Sequence, residues 1–307
     1  MSPRPPLTAA QARRLPDYPF QGHWFGHGAW HQHYLDEGRG TPVLMVHGSP
    51  TWSYMWRHLV LGLRTRYRCI APDLRGMGLS DRPRDPDGEL LADTRAQDLG
   101  RLVDHLTTDR GAPARGWTLI VHDWGGPVGL WWSHLHPGVV DRLVVLNTTA
   151  FPPPPGYRLP RAVQALRRPA LGRIAHAANA VAQASCRPLP QAVRDAYLAP
   201  YRHRRDRSAP VRFARDIPLG PADPGWSRAR RLGQALITFT QLPVFIGWGM
   251  RDPLHDDLVL AEWTRRLPRA SLHLYPRAGH FVLEDTAGQL VEGIRDFLAV
   301  TDRGTGT

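Results

Sequence analysis

The sequence predicts an α/β fold: a mostly parallel, doubly wound β-sheet with an inserted helical cap. Two observations predict this fold. Short apolar runs alternate with amphipathic segments long enough to cross over a sheet, which is the pattern of consecutive βα units. The alternation stops from Phe151 to Gln241, where prolines and arginines multiply, and it resumes from residue 242.

Apolar runs rich in β-branched residues have the length and composition of buried parallel strands. They cover Val43–His47, Tyr67–Ala71, Leu119–His122, Leu143–Asn147, Val244–Trp248 and Ser271–Tyr275. Helical patterns cover Tyr54–Leu63, Ala92–Leu106, Gly126–His134, Leu258–Leu267 and Asp285–Ala299. Because a parallel strand pair needs a crossover connection, these helices are expected to pack on the faces of the sheet.

The same alternation of strand and helix patterns divides the chain into three segments. Residues 1–150 and 242–307 are expected to form the two parts of one core. Residues 151–241 are expected to form the cap, with helical pieces over Ala162–Arg167 and Gln191–Leu198.

Composition excludes several classes of protein. The net charge of +12 comes from 39 basic residues, and all of them are arginine. They are spread along the chain and not gathered into one basic stripe, so no nucleic-acid partner is expected. Cys69 and Cys186 suggest neither a disulfide framework nor a metal site. Without a signal-peptide pattern or an apolar stretch of about 18 residues, the chain is expected to be cytoplasmic with no transmembrane segment.

A strand-to-helix turn carries the candidate nucleophile, Asp123. The segment Leu119-Ile-Val-His-Asp-Trp-Gly-Gly leads from a strand into a charged residue and then into small residues that open a helix. Such a nucleophile elbow exposes one side chain at the edge of a sheet, and Gly125 and Gly126 remove Cβ atoms that would clash. We expect Asp123 to stay ionised near the helix N-terminus and to attack an electrophilic carbon. The alternative is that Asp123 only caps the helix.

A second turn, His47-Gly48-Ser49-Pro50, follows another buried strand. In a sheet with a nucleophile elbow this turn lies beside the elbow, so its backbone N–H groups and that of Trp124 are expected to converge on a developing negative charge. Ser49 and Trp124 are therefore the predicted substrate- and oxyanion-binding residues. Taken alone, His47–Gly48 is equally well an ordinary turn.

Asp252 and His280 complete the predicted site. Each follows a strand, and the chain order nucleophile, acid, histidine is that of an α/β-hydrolase fold. A carboxylate at Asp252 orients an imidazole, although Asp-Pro is also a common start of a turn. The glycines of Asp73–Asp81 lack the spacing of a dinucleotide-binding loop, so no nicotinamide cofactor is expected, and no other cofactor or metal is predicted.

These segments resemble the haloalkane dehalogenase and epoxide hydrolase branch of the α/β-hydrolases over nearly the whole chain. The matching motifs are His47–Ser53, Asp73–Pro83 and His122–Gly126, in which an aspartate precedes a tryptophan. Three further motifs look like the OleB-type proteins of the third dehalogenase subfamily. They are Asn147–Pro152, Tyr197–Tyr201 and Arg215–Pro224.

The resemblance implies an activity and partners. OleB-type proteins convert cis-β-lactones, made from two condensed fatty acyl chains, into cis-olefins and carbon dioxide. It therefore implies a small apolar substrate and association with other enzymes of a hydrocarbon-biosynthesis assembly. Ser49 departs from the family, which usually has asparagine there. Serine donates one hydrogen bond and not two, which weakens halide binding and disfavours dehalogenation.

Three alternatives remain open at this stage. Hydrolytic dehalogenation would use Asp123 to displace halide and His280 to activate water. Epoxide hydrolysis would need a cap tyrosine, Tyr157, Tyr197 or Tyr201, directed at Asp123. A catalytically silent binding protein would keep the fold without the reaction.

Overall fold

An eight-stranded sheet forms the core of the computed structural model, which describes residues 7–82, 92–167 and 180–302. In chain order the strands are β1 (Gly22–Gly26), β2 (His31–Glu37), β3 (Thr41–Val46), β4 (Tyr67–Pro72), β5 (Trp117–His122), β6 (Val140–Leu146), β7 (Val244–Gly249) and β8 (Ser271–Tyr275). Across the sheet they lie in the order β1-β2-β4-β3-β5-β6-β7-β8. The β1–β2 and β2–β4 pairs are antiparallel and the others are parallel. The predicted mostly parallel sheet is therefore confirmed.

Helices surround this sheet. In chain order they are α1 (Ala9–Ala12), α2 (Arg57–Leu63), α3 (Ala92–Asp109), α4 (Gly125–Leu135), α5 (Arg161–Leu166), α6 (Ala180–Ala184), α7 (Gln191–Leu198), α8 (Ser208–Arg215), α9 (Trp226–Ala235), α10 (Asp257–Arg266), α11 (Val282–Asp285) and α12 (Ala287–Thr301). Short 3₁₀ segments lie at Ser53–Trp56, Ala199–Tyr201, Arg204–Arg207 and Leu236–Phe239. In the described part of the chain, no helix is both long and apolar enough to cross a bilayer.

The central strands are apolar because both of their faces are covered. Every residue of β5 and of β7 is buried, as expected for parallel strands between two helical layers. The predicted bounds of these strands agree with the observed ones to within two residues at each end. Burial on both faces is what made their sequences readable as continuous apolar runs.

Strands β1 and β2 were not predicted, because polar side chains occupy buried positions of β2. Gln32 and His33 are fully or almost fully buried. The Gln32 side-chain amide donates to the Asp73 carbonyl at 3.2 Å, and His33 Nδ1 lies 2.8 Å from Asp73 Oδ2. These hydrogen bonds offset the cost of burying polar groups, so the strand needs no apolar signature.

The segment between β6 and β7 lies against the carboxyl edge of the sheet. Trp52 Nε1 donates to the Ala196 carbonyl at 3.3 Å. The Tyr201 hydroxyl donates to the Thr51 carbonyl at 3.0 Å and accepts from the Gly78 N–H at 3.1 Å. The helix predicted over Gln191–Leu198 is present at those residues, whereas the cap bounds 151–241 stay a prediction.

A buried ion pair ties α2 to the segment that follows the predicted catalytic histidine. Arg57 donates from Nη1 and Nη2 to the two carboxylate oxygens of Glu284 at 2.5 and 2.8 Å. The Tyr197 hydroxyl donates to Oε1 of the same carboxylate at 2.5 Å. Burial raises the pKa of Glu284, but hydrogen bonds and the charge of Arg57 outweigh it and hold that pKa below its ordinary value. The carboxylate therefore joins core and cap in its charged form.

Replacing Arg57 with methionine is expected to destabilise the protein strongly, because it leaves the Glu284 carboxylate buried without its cation. Loss of one partner of a buried pair costs about 3–5 kcal/mol of unfolding free energy, which urea denaturation measures. The matched control is Arg265→Met, since Arg265 makes a similar two-bond contact with Glu262 at the surface. Equal stability of the two variants would contradict the role of the buried pair.

Candidate active site

The elbow after β5 holds Asp123 in a backbone conformation that few residues adopt. Its φ is +50°, in the left-handed region. A Cβ on Gly125 would lie 1.9 Å from the Val46 carbonyl oxygen, and one on Gly126 would lie 2.0 Å from Thr148 Oγ1. The two glycines therefore let the helix start close enough to β3 and β6 for the turn to form.

The Asp123 carboxylate is held between a loop and a histidine. The backbone N–H of Ser49 donates to Oδ1 at 2.7 Å, and His280 Nε2 lies 3.4 Å from Oδ2. A Cβ on Gly48 would lie 2.2 Å from Oδ1, so only glycine leaves room for this carboxylate. Helix α4 has Trp124 at its N-cap position with no side-chain cap. The helix-capping alternative for Asp123 is therefore wrong.

His280 bridges two carboxylates. Its Nδ1 lies 2.8 Å from Asp252 Oδ2, on the side opposite to Asp123. Asp252 is held in turn by Asn147, whose Nδ2 donates to Oδ2 at 2.9 Å, and by the Leu254 N–H, which donates to Oδ1 at 2.7 Å. The structure thus brings together the three side chains that the order of motifs predicts as catalytic.

Asp123, His280 and Asp252 form a row of three charged side chains, and their charges stabilise one another. Burial alone lowers the pKa of His280, but the charge of Asp252 and the contacts with both carboxylates outweigh it and raise the pKa to about 10. Burial raises the pKa of Asp123 and of Asp252, and the neighbouring imidazolium reverses that effect and holds both below their ordinary values. At neutral pH the site is therefore carboxylate, imidazolium, carboxylate.

Several residues that sequence reasoning missed support this row. His122 Nε2 lies 2.8 Å from the His280 carbonyl, and burial lowers the pKa of His122 to about 3, so it stays neutral. Asn147 also accepts from the Gly249 N–H at 2.8 Å, and the Thr148 hydroxyl donates to the Asp123 carbonyl. All lie at or just after strand ends, but neither residue type nor spacing marks them in the sequence.

A second histidine, His255, was also missed. Asp252, His255 and His280 present possible ligand atoms within 4.8 Å of one another. However, Nδ1 of each histidine faces Asp252 Oδ2, at 3.3 Å and 2.8 Å. These atoms are engaged with one another, and the arrangement fits a hydrogen-bonded network better than a set of metal ligands.

The remaining predicted residues lie beside the pocket in different ways. The Trp124 ring is half-buried and packs against Phe213 with ring centroids 5.0 Å apart. Ser49 uses its N–H on Asp123, and its hydroxyl donates to the Pro210 carbonyl at 3.4 Å. Trp124 therefore lines the pocket, whereas the Ser49 N–H positions the Asp123 carboxylate.

The cap tyrosines do not have the arrangement that epoxide opening requires. The hydroxyl of Tyr157 donates to the Leu254 carbonyl at 2.7 Å, that of Tyr197 to Glu284, and that of Tyr201 to Thr51. Each phenol proton is thus already used in a structural hydrogen bond. None of these hydroxyls is bonded to Asp123 in the described structure.

An apolar pocket of about 850 Å³, counted with its open mouth, has Asp123 in its lining. Residues of the sheet core and of the segment between β6 and β7 both line it. Its lining residues include Asp123, Trp124, Pro127, Ala150, Phe151, Pro153, Pro154, Tyr157, Leu159, Val163, Ile217, Pro218, Arg228, Leu232, Leu254, His255 and Val259. A buried carboxylate in the wall of an apolar space suits a reactive group carried on a hydrocarbon.

This fold, with its nucleophile elbow, defines a hydrolase-type scaffold, and comparison with known proteins agrees. The family model described as alpha/beta hydrolase fold matches residues 41–287. The chain belongs to this family of enzymes.

Individual relatives are similar to the chain over most of its length. The chain is 46% identical to a cis-3-alkyl-4-alkyloxetan-2-one decarboxylase from Xanthomonas campestris, over 86% of this chain and 91% of the relative. A protein of the same description from Shewanella oneidensis is 35% identical, over 92% of this chain and 90% of the relative. Haloalkane dehalogenase 2 from Mycobacterium bovis is 31% identical, over 90% of this chain and 94% of the relative.

A solved structure shows the same fold. A loop variant of a haloalkane dehalogenase from Bradyrhizobium elkanii superposes with a TM-score of 0.80 at 22% identity, covering 92% of this chain and 97% of that structure. The branch of the family expected from the motifs is confirmed by these relatives.

Asp123→Asn is expected to lower the pKa of His280 from about 10, because it removes one of the two carboxylates that raise it. The ordinary histidine pKa is 6.5, so the ion pairs stabilise the fold fully below that pH and lose this effect as the pH rises through 10. NMR titration of the imidazole carbons measures the midpoint. Asp104→Asn on the exposed face of α3 is the control, and an unchanged midpoint in Asp123→Asn would contradict the contact.

Proposed function

We propose that this protein decarboxylates cis-3-alkyl-4-alkyl-β-lactones to cis-olefins and carbon dioxide, with Asp123 as the nucleophile. One observation carries the proposal: a buried carboxylate, backed by an imidazolium, lines an apolar pocket. The names of the relatives from Xanthomonas campestris and Shewanella oneidensis describe this substrate class, an oxetan-2-one with two alkyl substituents.

The proposed reaction begins at ring carbon C4. An oxygen of Asp123 bonds to C4 as the bond from C4 to the ring oxygen breaks, and the electron pair leaves with that oxygen as a carboxylate. The C2–C3 bond then breaks, its electrons form the C3=C4 double bond, and the ester bond to Asp123 returns its pair to the aspartate. Carbon dioxide leaves, and no water or proton is consumed.

Stereochemistry is consistent with this route. Displacement at C4 inverts that carbon, and an anti elimination across C3 and C4 then places both alkyl groups on the same side. A cis lactone therefore gives a cis olefin. Attack at the lactone carbonyl is the other possibility, and it would form a mixed anhydride in place of an alkyl ester.

The proposed fragmentation needs no base, whereas hydrolysis does. Two carboxylates raise the pKa of His280 to about 10, so before Asp123 reacts the ring is an imidazolium that stabilises negative charge. Decarboxylation as written needs no base. Hydrolysis of an ester on Asp123 would need His280 to lose its proton first, and only esterification, which cancels the Asp123 charge, would favour that loss.

Asp123→Asn is expected to lower olefin formation from a synthetic long-chain cis-β-lactone by at least about a thousandfold, because an amide does not replace a carboxylate nucleophile. Gas chromatography of the olefin measures the rate. Asp104→Asn, which alters an exposed carboxylate of α3, should retain the full rate. Wild-type turnover by a folded Asp123→Asn variant would refute the assignment of the nucleophile.

Hydrolytic dehalogenation is the second candidate, favoured by the place of Trp124 in the pocket, where its indole is a donor available to a halide. We expect halide release from a haloalkane panel to be slower than olefin formation, and ion chromatography measures it. Ser49→Asn adds a side-chain amide donor to the indole and should raise halide release about fivefold, as one added hydrogen bond of about 1 kcal/mol allows. Ser49→Ala is the control, and efficient halide release by the unmodified protein would favour the dehalogenase alternative.

A further inference from the structure

His255 lies in the pocket although the site motifs do not include it. It lies in the loop between β7 and α10, and its ring stacks on His280 with centroids 5.3 Å apart and an interplanar angle of 17°. Trp248 packs edge-on against it at 6.3 Å. The imidazole lines the same cavity as Asp123.

One nitrogen of His255 is held by the catalytic row. Its Nδ1 lies 3.3 Å from Asp252 Oδ2, the oxygen that also receives His280 Nδ1 and Asn147 Nδ2. Because a carboxylate oxygen only accepts, His255 Nδ1 carries the hydrogen. The other nitrogen, Nε2, is then directed away from Asp252, and within the described residues it makes no hydrogen bond.

Most other polar groups around the pocket are already engaged. Thr149 donates to the Phe151 carbonyl at 3.2 Å, Tyr157 donates to Leu254, and Arg228 donates to an Asp93 oxygen at 2.5 Å. Of the described side chains that line the cavity, Trp124 and His255 keep a ring nitrogen for a substrate, and Arg228 keeps the N–H groups that do not face Asp93. His255 differs from Trp124 in that protonation turns its Nε2 from an acceptor into a charged donor.

We propose that Nε2 of His255 binds the carboxylate that forms when the lactone ring opens. The proposal rests on the proposed function, because that carboxylate exists only if the bond between C4 and the ring oxygen breaks. Nε2–H donates to the new carboxylate while Nδ1–H stays on Asp252. The contact is released without proton transfer when the carboxyl carbon leaves as carbon dioxide.

Charged and polar groups from several elements surround this contact. Asp252 lies in the loop of His255, His280 lies in the loop before α11, and Asp256 lies at the start of α10. Asp123, Tyr157 and Arg228 line the same pocket.

Binding of a stable ring-opened analogue tests the proposal without turnover. The probe is a 2-alkyl-3-hydroxy carboxylic acid of matching chain length, and its partner probe is the alcohol that lacks the carboxyl group. Calorimetry should show the unmodified protein binding the acid about tenfold more tightly than the His255 variants do, as expected for a hydrogen bond to a carboxylate. Binding of the alcohol should differ less than twofold between these proteins.

His255→Gln should weaken acid binding about tenfold and leave alcohol binding unchanged, and His255→Asn provides a second variant of the same kind. His134→Gln, on the exposed side of α4, is the matched control and should behave as the unmodified protein. Acid binding of unchanged strength in folded His255 variants would overturn the proposal. Because the assay needs no nucleophile, this result is separate from failure of Asp123→Asn to stop olefin formation.

Discussion

The structure depends on one electrostatic constraint: an imidazolium must be held between two carboxylates in a place with little water. Asp123, His280 and Asp252 are each less than one-tenth exposed, so each charge would be costly if it stood alone. The row carries a net negative charge, and hydrogen-bond donors are gathered around it. The Ser49 N–H and the Asn147 amide come from the ends of different strands, so the sheet itself holds the charges in register.

The same constraint explains the shape of the pocket. An apolar cavity strengthens the interaction between a nucleophile and its counter-charge because water is kept away. Trp124, Phe151 and Leu232 supply such a wall above Asp123. Under the proposed function, a hydrocarbon substrate that fills this space completes the exclusion of water, so substrate binding and activation of Asp123 are linked.

Much of this arrangement follows from the sequence, and the exceptions have physical causes. Strands buried on both faces have sequences of continuous apolar residues, and the elbow has the sequence of a strand followed by Asp123 and, after Trp124, two glycines. Strand β2 was not predicted because Gln32 and His33 are polar residues whose burial is stabilised by contacts with Asp73. Asn147 and His255 escaped because their roles arise from contacts across the sheet edge, which depend on how distant loops meet and not on local pattern.

The contact of Glu284 with Tyr197 has a consequence for how a long product would leave under the proposed function. Glu284 belongs to α11 and stays paired with Arg57 of α2 whether or not Tyr197 is bound. Moving the segment that carries Tyr197 away from the sheet would break a short hydrogen bond to a charged carboxylate, so wide opening has an energetic cost. Departure of a long olefin is therefore expected through the existing mouth of the pocket, with this contact kept.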